Sequence, residues 1–561
     1  MEYAMDAPGF LEKLYNGIFD EKLFSSCHGP QVSDRAKGIL NDYLSVLKNY
    51  NPVELEESGR LPQELWDCLK SSGMFALTIP ETYGGSGLSL WDYLWIIEGA
   101  AARDMGLAIV PLAHHSIGLK GIILFGSEEQ KRKYLPPAAS GDMIFAYVLT
   151  EPNTGSDAQH IDTFAEKSPD GKYYILNGTK TYITNGGYAG GMTVFAQLDK
   201  DKPGYMGAFI VETGWEGITV GKDMHKMGLT LSSTTMVKFN NVKVPAENLI
   251  GKPGDGFKIA MTILNYGRLG LAAASTGLMN QSADEMIERA NRRKQFGVPI
   301  SNFELIQEKI VKACVYAFLS KAITAFTSGM IEDDSMIRAA IETSHAKLFS
   351  TTNTWDVLYD ALQVHGGSGY LKTLPYEKRI RDFRVTTVFE GTTEIHSIYP
   401  PLFLLRNMTK GKKYPGSSLV KIIKSAFGLF KGPSIKNKPD DPFLKKAMRL
   451  ALKRVRRVRF MLVAGVLTYG KKVTEREFFL RRITLRSIDA FLLMSAVSYI
   501  TKAESMRYNV NNWRLYLEYY IYLTAGKGKR ESRIRPDNME RAHRKVFSAI
   551  NRHEKKKING Q

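Results

Sequence analysis

Residues 389–395 of the 561-residue chain read FEGTTEI, with Glu390 between Phe389 and Gly391. Glycine takes backbone angles closed to other residues, so an acid followed at once by Gly391 marks a sharp turn with Glu390 at its bend. A lone glutamate in a loop is ordinarily a solvated surface residue. The motifs that precede FEGTTEI along the chain, taken up below, argue against that here. Helical periodicity runs from Gly256 to about Leu405 in four segments: Phe257–Asn291, Phe303–Met330, Asp334–His365 and one after Glu390. Four helices of this length read as a bundle, and FEGTTEI opens the last of them.

Towards the N-terminus, the chain changes character between about Phe145 and Ile250. Short strand-like runs alternate with turn residues: Tyr173–Leu176, Thr193–Leu198, Ala208–Glu212, Thr234–Phe239 and Val242–Val244. Asp170-Gly171 and Asn177-Gly178 are hairpin signals. Gly9 to Gly141 is mostly helical, with apolar spacing of three and four in Glu64–Ser72 and Leu90–Ala101 and a turn at Ile79–Gly87. Helix continues through Ile117–Phe125 and Glu128–Leu135, ending at Pro136-Pro137. Met408–Pro442, rich in Gly, Pro, Ser and Lys, reads as a linker. The expected architecture is mainly α with a central β domain. A helical domain (1–144) precedes a β domain (145–252), a four-helix bundle (253–407), the linker (408–442) and a basic helical extension (443–561). No apolar stretch approaches the roughly 20 residues that span a bilayer.

Five motifs follow one another in order: TEPNTGSD (Thr150–Asp157), YITNGG (Tyr182–Gly187), RKQFG (Arg293–Gly297), QVHGGSG (Gln363–Gly369) and FEGTTEI. Together they resemble the acyl-CoA dehydrogenase family over about residues 30–405. AHHSIGLKGIILFG (Ala113–Gly126), NFELIQEK (Asn302–Lys309) and the long extension look most like its very-long-chain branch. The resemblance implies the family fold: an N-terminal helical domain, a β-barrel-like middle domain and a four-helix bundle, here with an extra C-terminal helical domain. It also implies an FAD-dependent enzyme of fatty-acid β-oxidation that converts saturated long-chain acyl-CoA to trans-2-enoyl-CoA.

That reaction explains the residue types. A proton leaves Cα as a hydride leaves Cβ for the flavin. The α-proton of a thioester is weakly acidic, so a carboxylate must stand close and dry, and donors must hold the thioester oxygen. By resemblance Glu390 is the base. Burial is expected to make it a stronger base than a solvated carboxylate. Other members place the base just before an arginine in the first bundle helix. Here that position is Gly267, in NYGRLG (Asn265–Gly270), and glycine cannot be a base. The same matching puts Tyr147, Leu149, Thr150, Tyr182 and Thr184 along the flavin, with tyrosine where the family often has tryptophan. Arg293, Phe296, Gln363 and Gly367 are expected to reach FAD from a neighbouring subunit, which implies a homodimer. Thr392 and Glu394 are expected near the adenosine half, although the family's usual glutamine is Glu394 here. Ser156, Arg268 and Gly391 are expected at the substrate. His114-His115 is an adjacent pair without a nearby cysteine, so no metal site is expected, and no GxGxxG marks a Rossmann unit.

The net charge of +19 is uneven. Residues 401–561 hold 38 Lys+Arg and 11 Asp+Glu, a net +27, while 1–400 carry −8. KRVRRVR (Lys453–Arg459), KGKR (Lys527–Arg530) and EKKK (Glu554–Lys557) alternate with apolar helical faces. An anionic membrane surface is the favoured partner of this extension. A related flavoprotein fold with a DNA-binding or respiratory-complex-assembly role is the alternative, and nucleic acid is the less favoured partner. Electron-transfer flavoprotein is the expected electron acceptor, with oxygen as the other option. The three cysteines, Cys27, Cys68 and Cys314, are widely spaced and point to a reducing compartment. Acids among the first 25 residues fit neither a secretory signal nor a transit peptide. The expected location is cytoplasmic, peripheral on the inner membrane, or the mitochondrial matrix if a presequence was removed.

Overall fold

Helix starts are marked by side chains that accept from their own first turn. Ser89 Oγ accepts from Asp92 N at 2.9 Å, and Ser127 and Gln130 form a reciprocal capping box. The computed structural model describes residues 7–59, 61–334, 337–409, 433, 435, 439–525 and 538–558. KGKR (Lys527–Arg530), the side chains of EKKK (Glu554–Lys557) and most of the linker lie outside the described residues. The chain forms two compact units.

One unit comprises Val32–Gly277 and Tyr370–Glu390. Its helices include Asp34–Leu47, Gln63–Ser71, Leu90–Arg103, Met105–Ala113 and Glu128–Ala139, with a π-helical turn at His114–Gly118. Pro136 and Pro137 do not end the last of these, contrary to the expectation from proline chemistry. Its final turn is held by buried Ala138 and Ala139 and by Ser140 N donating to Pro136 O. An eight-stranded sheet follows, in the order Ile218–Val220, Thr234–Pro245, Tyr173–Thr184, Phe164–Lys167, Ala189–Gln197, Met206–Glu212, Leu249–Gly254. Ile144–Val148 pairs parallel with Ala189–Gln197. Asp170-Gly171 turns the expected hairpin between Phe164–Lys167 and Tyr173–Thr184. Asn177-Gly178 does not turn a hairpin. It is a bulge inside the long strand Tyr173–Thr184, where Gly178 packs onto Thr163 too closely for a Cβ. Thr234–Phe239 and Val242–Val244 are likewise one strand, Thr234–Pro245. The sheet core gathers Val194, Phe209, Leu176, Val237 and Val244.

The other unit comprises Met1–Gln31, Leu278–Gly369 and Gly391–Gln561. It contains the helices Glu304–Asp333, Ala340–His365 and Thr393–Thr409, and the extension helices Pro442–Tyr469, Glu477–Ser505, Asn511–Thr524 and Asn538–Ile558. The extension shares a core with the bundle helices. Phe491 meets Phe326 edge-on at 5.3 Å, and Thr484 Oγ1 donates to Ser397 O at 2.7 Å. Residues 7–31 group here as well, although their sequence runs on into the helices up to 144. Phe10 is buried against Phe326, and Leu11 N donates to Glu342 Oε1 at 2.7 Å. The basic run Lys453–Arg459 is not wholly a solvated face: Arg459 is buried, and Arg454 donates to Thr524 Oγ1.

Among the described residues, three helical stretches are long and apolar enough to cross a membrane by length and composition: Met105–Phe125, Glu304–Asp333 and Glu477–Ser505. This corrects the expectation that no apolar run reaches such a length. Between 78% and 83% of each apolar window is buried inside the protein, so these stretches are core helices, apolar on all sides because they are surrounded.

Candidate active site

In the first unit, the strand Ile144–Val148 ends at the segment Leu149–Glu151, which lies against Tyr173–Thr184. Thr181 N donates to Thr150 O at 2.9 Å. Lys180 Nζ donates to Leu149 O at 2.9 Å and to Glu151 Oε1 at 2.8 Å. Both side chains are buried, and Glu151 also accepts from Thr163 N at 2.9 Å. Burial pushes the Glu151 carboxyl up, but Lys180, the Thr163 side chain and the Asp162 N–H together hold it below its usual range. Burial pulls Lys180 down to about 8. Lys180 thereby joins the two stretches that carry Leu149-Thr150 and Tyr182–Thr184. Tyr182 sits in the left-handed region (φ 57°) and is 67% exposed. A flat exposed ring beside the half-exposed Thr150 and Thr184 fits an aromatic cofactor laid along this edge. Ser156 is exposed on the following loop.

Glu390 closes this unit at φ 56°. Its carboxylate lies over Gly267: a Cβ there would fall 2.9 Å from Glu390 Oε2 and 3.0 Å from Ile117 Cγ2. The buried Arg268 directs Nε to Glu390 O at 3.5 Å and Nη1 to Asn265 Oδ1 at 3.2 Å. Burial, and then the charge of Glu390, hold the Tyr147 phenol well above its usual range. Tyr147, Arg268 and Glu390, far apart in sequence, are thus brought together.

The approach to Glu390 is anchored by charges that sequence reasoning did not single out. Buried Lys378 donates to Asp104 Oδ2 at 2.8 Å and to Asp382 Oδ2 at 2.6 Å, and Asp382 Oδ1 accepts from Leu229 N at 2.6 Å. Lys180 had one available signal, a lysine at an inward position of an alternating strand.

In the second unit, Arg293 and Phe296 lie on an exposed hairpin, with Phe296 at φ 52° and 93% exposed. Gln363 and Gly367 are exposed around the end of Ala340–His365. Gly391 (φ 93°) stands directly before the helix Thr393–Thr409, where Thr392 Oγ1 accepts from Ile395 N at 3.3 Å and Glu394 is exposed.

Three family models match the chain: the N-terminal domain of acyl-CoA dehydrogenase over residues 46–142, the middle domain over 146–242 and the C-terminal domain over 254–398. The human mitochondrial very long-chain specific acyl-CoA dehydrogenase is 36% identical over 482 residues, covering 81% of this chain and 72% of that protein. An acyl-CoA dehydrogenase of Bacillus subtilis is 38% identical, covering 63% and 92%. The crystal structure of an acyl-CoA dehydrogenase complexed with FAD from Bacillus anthracis superposes with a TM-score of 0.81 at 28% identity, over 96% of this chain and 98% of that one. Butyryl-CoA dehydrogenase from Megasphaera elsdenii gives a TM-score of 0.64 at 34% identity, over 68% and 100%.

Proposed function

The chain belongs to the acyl-CoA dehydrogenase family and is an FAD-dependent acyl-CoA dehydrogenase, and from that premise we propose that Glu390 is its catalytic base and long-chain acyl-CoA its substrate. The observation that carries the first part is the seat of the Glu390 carboxylate over Gly267, beside Tyr147 and Arg268. Only a glycine at 267 leaves that space open. Glu390 takes the α-proton of the bound thioester, and its backbone N–H donates to the thioester oxygen as negative charge develops there. Arg268 steadies the turn through the Glu390 carbonyl. The flavin, when bound, takes up the hydride from Cβ.

Tyr147, Leu149, Thr150, Tyr182 and Thr184 line the flavin in this reading. Arg293, Phe296, Gln363 and Gly367 serve the FAD of a second protomer in a homodimer, and their exposure leaves them available to one. Thr392 and Glu394 lie towards the adenosine, and Ser156 towards the CoA. Electron-transfer flavoprotein is the electron acceptor in this reading. The preference for long chains is supported by the mitochondrial relatives, whose name is very long-chain specific. The extension docks on anionic membrane. Phe460, Leu467, Phe478 and Leu485 are exposed on the two helices Pro442–Tyr469 and Glu477–Ser505, with Arg481 over the Phe478 ring at 5.4 Å.

Anaerobic titration with C8, C12, C16 and C20 acyl-CoA, following flavin bleaching, tests this. The parent bleaches, most with the longer chains, and Glu390→Gln bleaches about a thousandfold more slowly. Unchanged bleaching in Glu390→Gln would remove Glu390 from the mechanism, and a preference for C8 would remove the long-chain assignment.

A further inference from the structure

The turn that presents Glu390 is conformationally expensive. Two successive residues, Glu390 (φ 56°) and Gly391 (φ 93°), are left-handed, and the first is not glycine. Such a turn persists only where its surroundings over-determine it. At Gly391 they do. Lys347, in the helix Ala340–His365, is fully buried and donates Nζ to Gly391 O at 2.6 Å. His396, in the first turn of Thr393–Thr409, is packed so closely that a Cβ on Gly391 would fall 2.7 Å from its Nε2. Its Nδ1 is 2.8 Å from Ser344 Oγ, and its backbone N donates to Thr392 O at 3.0 Å. A buried ammonium donating to a backbone carbonyl makes a strong, charge-assisted hydrogen bond with little freedom to exchange for water.

We propose that Lys347 is a positioning residue for the reaction: its ammonium, with His396 beneath, locks the Gly391 carbonyl and so holds the left-handed turn from which, one residue earlier, the Glu390 side chain and N–H project. Lys347 does not touch substrate. It acts through the Gly391 carbonyl, on a turn whose neighbouring carboxylate must reach an α-carbon within a fraction of an ångström. The helices that carry the lock are themselves braced by the extension. His345 Nε2 lies 2.6 Å from Ser487 Oγ, and Ser397 O accepts from Thr484 Oγ1.

This inference rests on Glu390 being the base, and the experiment separates the two. Full-length holoenzymes of the parent, Glu390→Gln, Lys347→Met, Lys347→Gln and Lys347→Arg are mixed anaerobically with palmitoyl-CoA. The limiting bleaching rate, the half-saturating concentration and the flavin content are measured for each. If Glu390→Gln bleaches like the parent, the base is misassigned. With Glu390→Gln inactive, Lys347→Met is expected to bleach about ten- to a hundredfold more slowly, at parental flavin content and half-saturation, because misplacement of the base costs rate and not binding. Lys347→Arg, which keeps the charge, recovers most of that rate. A Lys347→Met rate within about twofold of the parent overturns the proposal, as does a loss that only follows flavin content. Should Lys347→Met not fold, the other two variants decide. Lys347→Gln about tenfold slower than Lys347→Arg supports the lock, and equal rates overturn it.

Discussion

The carboxylate of Glu390 occupies the space that a side chain on Gly267 would need: the missing Cβ would stand 2.9 Å from Oε2 and 3.0 Å from Cδ. Gly267 lies inside the helix Gly256–Arg292 at ordinary helical angles, so its glycine is not required by the backbone. A glycine here leaves room for the Glu390 carboxylate and also for Ile117, whose Cγ2 would stand 3.0 Å from the Cβ. Gly267→Ala should therefore split two properties that usually move together. Helix propensity favours alanine by up to about 1 kcal/mol, which offsets the tight contact of its Cβ with Ile117, so thermal stability is expected to stay close to the parent's. The displaced carboxylate is expected to slow flavin bleaching by about tenfold or more. Thermal melts alongside stopped-flow bleaching check both, and equal losses in the two would contradict the assignment.

Tyr182 is exposed and makes no core of its own. If it stacks on the flavin, Tyr182→Ala should leave the melting temperature of the apoprotein unchanged and weaken FAD binding by about 1 kcal/mol, roughly fivefold in Kd. Fluorescence titration of apoprotein with FAD reads this directly, and unchanged affinity would take Tyr182 out of the cofactor site.

Glu342 links the N-terminal segment to the bundle, accepting from Leu11 N, and burial pushes its carboxyl up to about 7. An unfolded glutamate titrates near about 4.3, so the folded state holds the proton more tightly. Its contribution to stability is present below the unfolded value and is lost as the pH rises through about 7. Glu342→Gln, neutral at every pH, is expected to melt above the parent at about pH 8, by up to roughly 3 kcal/mol, and close to it at about pH 4. A melting difference that does not change with pH would show that Glu342 is ionised in the folded state.

The exposed Leu467 and Phe478 should matter only at a lipid surface. Parent protein is expected to sediment with vesicles containing about one-fifth phosphatidylserine and to be released by high salt, since each basic side chain near such a surface adds about 1 kcal/mol. Leu467→Asp/Phe478→Asp is expected to stay in the supernatant at parental activity towards soluble acyl-CoA. Sedimentation of the double variant like the parent would remove this face from the membrane contact.

Local spacing made much of this protein legible. Glu390 was singled out by the resemblance of FEGTTEI and NYGRLG to family motifs, whereas periods of three and four residues marked the long helices and alternation marked the sheet. Such patterns report which face of an element is apolar and where the backbone must turn, both short-range properties. The sequence could not say what each face meets. Asn177-Gly178 has the chemistry of a hairpin turn, yet pairing with Thr234–Pro245 carries the strand straight through it as a bulge. Pro136 and Pro137 have the chemistry of a helix end, yet burial of the turn beyond them keeps it helical. Arg459, inside a basic run, is buried rather than solvated. Lys180 and Lys347 look like ordinary lysines until Glu151 and the Gly391 carbonyl are folded onto them, 29 and 44 residues away. A buried charge is defined by its partner, and partners so distant along the chain are chosen by packing alone.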